Sequence, residues 1–115
     1  MAFNEHELRE HQATLDAFLE KRRPPEQVRD QVDVDCRVEG QSIVIFERRS
    51  LWTEPGRTIE VPVAKTTYVR TQETWKVYWQ QRDQKWHSYE PRPEVDSLAD
   101  FLDVVDADRH RCFWG

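Results

Sequence analysis

Three glycines, two cysteines and one methionine are all that this chain of 115 residues holds of those three residue types. With glycine only at positions 40, 56 and 115, neither a phosphate-cradling loop nor a dinucleotide fingerprint can be written, since each needs several glycines where backbone closes on ligand. Cys36 and Cys112 form no CxxC, and His6, His11, His87 and His110 show no paired spacing, so no zinc cluster is encoded. Two cysteines do not make a disulfide framework, and reduced thiols are expected. There is no GxSxG elbow for a nucleophilic serine. No apolar run approaches a membrane span, and the opening "MAFNEHELRE" lacks the basic region and apolar stretch of a signal peptide. These absences lead to the expectation of a cytoplasmic protein with no membrane partner, no metal and no cofactor.

Aromatic residues are plentiful instead, with five tryptophans, five phenylalanines and three tyrosines. They supply large buried areas and let one domain over residues 1–115 build a core without staples. The formal charge of −5 argues against a wholly basic nucleic-acid binder, but it hides a division. Residues 1–40 carry six Lys/Arg against ten Asp/Glu, residues 41–93 nine against six, and residues 94–115 two against six. A basic middle lies between acidic ends.

The first element reads as a helix. Asn4 is placed to cap it and Glu7 to close a capping box, with Phe3 and Leu8 spaced for a hydrophobic staple. Leu8, Leu15, Phe18 and Leu19 follow as an apolar stripe, and "KRRPP" ends the helix with positive charge and two prolines. From Val32 the period changes to two: "VDVDCRV" and "QSIVIFERR", joined at Glu39-Gly40, predict a hairpin with Ile43 and Ile45 opposite the valine face. "LWTEPGRT" at 51–58 reads as a loop. "KTTYVR", "TWKVYWQ" and "KWHSY" then predict a three-stranded meander. Ser97 is set to cap a second helix, in which Leu98, Phe101, Leu102 and Val105 repeat at helical spacing. The expected fold is α+β: an antiparallel sheet of about five strands with an N-terminal and a C-terminal helix on one face.

The stretch "WKVYWQQRDQKWHSY" sets the candidate site. A two-residue turn at Arg82-Asp83 would put Trp75, Val77, Trp79 and Trp86 on one face, toward the core, and Lys76, Tyr78, Lys85, His87 and Tyr89 on the other. A similar turn at Gln72-Glu73 adds Lys65 to the second face. Tyrosines ringed by lysines have the makings of single-stranded nucleic-acid recognition, where bases stack on rings and cations follow phosphates. Two other readings stand beside it. The acidic end of the second helix (Asp103, Asp106, Asp108) and the aromatic tail Phe113-Trp114 could serve a protein partner or a homodimer. Asp33 or Asp35 followed by Glu47-Arg48-Arg49 loosely follows the carboxylate order of metal-dependent nucleases, with Asp35, Glu47 and Arg49 as the catalytic candidates. Arginine at the last position suits a proton-shuttling role poorly because it stays charged. The expectation is a binding domain without catalysis.

"KRRPPEQVRDQ", "RVEGQSIVIFERR", "AKTTYVR", "WKVYWQQRDQKWHSYEP" and "CFWG" together resemble a bacterial family known as domain of unknown function 3024, over nearly the whole chain. The resemblance implies a small stand-alone bacterial protein and carries over no catalytic residue.

Overall fold

The computed structural model describes residues 2–114. Helix α1 spans Glu5–Arg22. The Asn4 side chain accepts the Glu7 N–H at 2.8 Å, and the Glu7 carboxylate accepts the Asn4 N–H at 2.9 Å, so both halves of the capping box are made. Phe3 is buried, but Leu8 is 38% exposed. Phe3 packs on His11 (4.7 Å between ring centroids), Trp75 (5.7 Å) and Tyr68 (6.4 Å). A short 3-10 turn at Glu26–Val28 leads into the sheet.

The six strands are β1 (Val32–Glu39), β2 (Ser42–Ser50), β3 (Thr58–Val69), β4 (Thr74–Gln80), β5 (Trp86–Ser88) and β6 (Glu94–Val95). They form one antiparallel sheet in the order β1-β2-β3-β4-β5, with β6 also paired to β4. Helix α2, Leu98–Ala107, follows Ser97, whose hydroxyl accepts the Asp100 N–H at 3.0 Å. β3 begins at Thr58, well before the "KTTYVR" segment that reads as a strand from sequence. Pro62 masks this extension, because proline argues against a strand that must donate on both sides. Here it sits where β3 has run past the end of β4, whose pairing stops at Ala64. No ladder bond is lost.

Alternation decides which face each residue joins. Val38↔Ile43, Cys36↔Ile45, Ile43↔Thr66, Ile45↔Ala64 and Thr66↔Val77 line one side. Between Ile45 and Phe46 the register slips, leaving Val63 as an extra residue on β3. Such a bulge lets consecutive residues serve one face, and Val63 and Ala64 are both buried in the same cluster. Leu15 and Phe18 of α1 and Leu98, Phe101, Leu102 and Val105 of α2 belong to that cluster too. Both helices thus cover one face of the sheet and leave the other uncovered. Among the described residues no helix is long and apolar enough to cross a membrane.

Candidate functional site

The uncovered face is built from alternate residues of five strands. Across its centre run Arg37↔Val44, Val44↔Lys65, Lys65↔Tyr78 and Tyr78↔Ser88. Beside that row lie Asp35↔Phe46 and Gln80↔Trp86. Val44 and Phe46 are buried although they stand outside the main core cluster. What covers Phe46 is cationic: the Arg37 guanidinium lies 4.6 Å from the ring centroid and that of Arg48 5.3 Å. Tyr78 and Trp86 are diagonal neighbours across β4 and β5, both half-buried. The Lys65 ammonium lies 5.9 Å from the centroid of Trp86.

Of the predicted binding residues, Lys65, Lys76 and Tyr78 share this face, and His87 and Tyr89 do not. The turn between β4 and β5 has three residues, Arg82 to Gln84, not two. Gln84 adopts φ +62° and its N–H reaches the Gln81 carbonyl at 2.9 Å. One extra residue moves every later side chain to the opposite face, so the pairs are Trp79↔His87 and Gln80↔Trp86. Tyr89 becomes core: it is 2% exposed and packs on Phe113, the rings tilted by 45° with centroids 4.8 Å apart. His87 joins the Trp79 side and holds Asp83 at 2.8 Å. Lys85 is exposed in the turn, its N–H bonded to Asp83. Trp86, expected in the core, takes the outward place. No glycine or asparagine marks Gln84 as left-handed, so the spacing alone points to the shorter turn.

The basic character of the face is partly neutralised. Lys76 meets Glu94 at 3.1 Å, Arg37 meets Glu60 at 2.6 Å and Arg48 meets Asp35 at 3.2 Å. Lys65 has no carboxylate partner among the described residues.

The nuclease candidates fall apart by register. Asp35 pairs with Phe46 on the uncovered face, whereas Glu47 pairs with Val34 and points to the helix-covered side. Arg49 is spent on Glu47 at 3.1 Å. Asp33 is bidentate to Arg23 at 2.9 and 2.5 Å, and the guanidinium holds its carboxyl below the usual range. Asp33 and Asp35 also accept the Val34 and Cys36 N–H groups, each at 2.8 Å. Those donors are two residues apart and lie along one margin of β1, the outermost strand. The carboxylates therefore occupy edge donors that another strand would otherwise use. Among the described residues no cluster of three potential metal ligands occurs.

The tail packs back. Phe113 is buried, the Trp114 indole N–H donates to the Val105 carbonyl at 3.0 Å, and the Arg22 guanidinium lies 4.1 Å over the Trp114 ring. Asp108, left-handed at φ +41°, accepts the Phe113 and Trp114 N–H groups on its two oxygens. Asp106 pairs with Arg22 at 3.3 Å. Much of the acidic and aromatic surface proposed for a partner is thus used within the chain. An exposed aromatic lies elsewhere: Trp52, in the β2–β3 loop, is 90% exposed.

No match is found among curated proteins or among solved structures. A family model, described as "Domain of unknown function (DUF3024)", matches residues 3–115, and the chain belongs to that family.

Proposed function

We propose that the protein is a binding domain that takes single-stranded nucleic acid on the uncovered face of its sheet, through Lys65, Tyr78 and Trp86. The observation that carries this reading is the neighbouring placement of two half-buried rings and one unpaired ammonium on a face that neither helix covers. Every base offers a π-face, so rings fixed at the spacing of diagonal sheet neighbours can stack bases regardless of sequence. The ammonium then meets phosphate. Arg37 and Arg48, held over Phe46, extend the cationic margin. The net negative charge limits long-range attraction, so affinity should be modest and sensitive to salt.

The test is fluorescence anisotropy with labelled single-stranded RNA, single-stranded DNA and duplex DNA at two salt concentrations. Saturable binding of single strands that weakens with salt supports the reading. No binding of any of the three overturns it. Trp52 favours a second reading, docking of a protein or a second copy at the far end of the β2–β3 hairpin. There Ile59 is 37% exposed and the β3 residues before Ala64 lack a β4 neighbour. Trp52→Ala would weaken such an association while leaving single-strand binding unchanged.

A further inference from the structure

One concavity lies on neither face just described. It is a cleft of about 350 Å3 between α2 and the turn that follows β5, bordered by Tyr89, Arg92, Asp100, Asp103, Arg109 and His110. That volume falls at the lower end of small-molecule sites, about 300–1,000 Å3. Asp100, Asp103, Val104 and Ala107 all line it, at i, i+3, i+4 and i+7 on α2. They form a second face of a helix whose other stripe, Leu98, Phe101, Leu102 and Val105, is buried. At Asp108 the chain turns left-handed out of the helix and brings Arg109 and His110 to the rim. Arg92 comes from across the opening, in a turn where its N–H reaches the Tyr89 carbonyl at 3.1 Å. The Tyr89 ring is fixed in the floor by Phe113 and lies 6.4 Å from His110.

The charges in this cleft are balanced and unspent. Several guanidiniums elsewhere are engaged, as in Arg22–Asp106, Arg23–Asp33 and Arg70–Glu7, while Arg82 and Arg111 have no ion pair among the described residues. Asp100, Asp103, Arg92 and Arg109 have no side-chain ion pair or hydrogen bond among the described residues, although they border one opening. Two carboxylates repel an anion and two guanidiniums repel a cation; a ligand carrying both signs meets a complement for each. Val104, Ala107 and Pro91 add apolar lining. We propose that this cleft binds a small zwitterion of the free α-amino-acid class with an apolar side chain. Its ammonium sits toward Asp100 and Asp103, its carboxylate toward Arg92 and Arg109, and its side chain against Val104, Ala107 and the Tyr89 floor.

The experiment is an amide chemical-shift titration of the whole chain with L-leucine and L-phenylalanine. Matched titrations use N-acetyl-L-leucine, which lacks the ammonium, and L-leucinamide, which lacks the carboxylate. The expected result is saturable shifts over Asp100–Ala107 and His110, weakened about tenfold when either charge is removed, as for one charge-assisted hydrogen bond. Asp103→Asn and Arg109→Gln, both exposed positions, should weaken L-leucine likewise without altering the spectrum elsewhere. Two results would overturn the proposal. One is an absence of saturable shifts with both amino acids; the other is equal binding of L-leucine and either blocked analogue.

Discussion

Tyr78 and Tyr89 are eleven positions apart in one aromatic run and have opposite fates. Tyr78 stands half-buried on the bare face, opposite Lys65 and Ser88, while Tyr89 is buried against Phe113 of the tail. The residue type is the same in both, and what separates them is parity. The three-residue turn ahead of β5 reverses the alternation, so the second tyrosine points where a tryptophan would be expected and Trp86 points where the tyrosine would be. Two faces of one sheet have accordingly divided the work. The covered face holds the fold through Leu15, Phe101, Ile43, Ile45 and Val77, all fully buried. The bare face needs little of that packing and is free to carry rings and charge.

The comparison breaks if the two tyrosines prove equivalent. The largest effect should come from Tyr89→Ala, which empties a buried ring site and should cost about 3–5 kcal/mol in denaturant unfolding. Tyr78→Ala should cost under about 1 kcal/mol of stability, the scale of a cross-strand pair, while reducing single-strand affinity by about 1–3 kcal/mol. A smaller effect is expected of Lys65→Gln: a weaker complex whose salt dependence, plotted as log K against log salt, flattens by about 0.7, one single-strand phosphate contact.

The packing of α1 on the sheet also carries a pH dependence, through His11 and Glu7. Burial pushes the His11 imidazole below its ordinary value of 6.5. The unfolded chain therefore binds that proton more readily, and the stability present above pH 6.5 is lost as pH falls below it. The Arg70 guanidinium beside Glu7, with the Asn4 N–H, lowers that carboxyl to about 2. Its contribution is present above pH 4.5 and is lost between 4.5 and 2. Melting temperature followed from pH 8 to pH 3 should fall in both windows. Arg70→Ala should shrink the lower step, to which Asp33 and Asp83 also contribute, and leave the upper one, whereas Lys65→Gln should change neither.

Much of the scaffold was legible because local chemistry and global packing agree there. The Asn4–Glu7 box, the "VDVDCRV" alternation and the apolar spacing of α2 each specify one structure. The β3–β4 connection teaches a subtler point. A two-residue turn was expected and four residues, Arg70 to Glu73, are found. That shift of two preserves parity, so Lys65 still lands on the Tyr78 face. The shift of one at Gln84 did not. The candidate face was thus half legible: Lys65, Lys76 and Tyr78 share one face as their spacing predicts, whereas Trp86 stands there in place of His87 and Tyr89. Nor could sequence show that Arg37 and Arg48 would close over Phe46. That depends on pairing between strands rather than on spacing within one.

The most direct test of this division is an amide and indole chemical-shift titration of the protein with a short single-stranded oligonucleotide. The account predicts that perturbations cluster on Lys65, Tyr78 and the Trp86 indole and leave Tyr89, Phe101 and Val105 unmoved. Perturbations confined to α2 and the tail, or an unchanged spectrum, would contradict it.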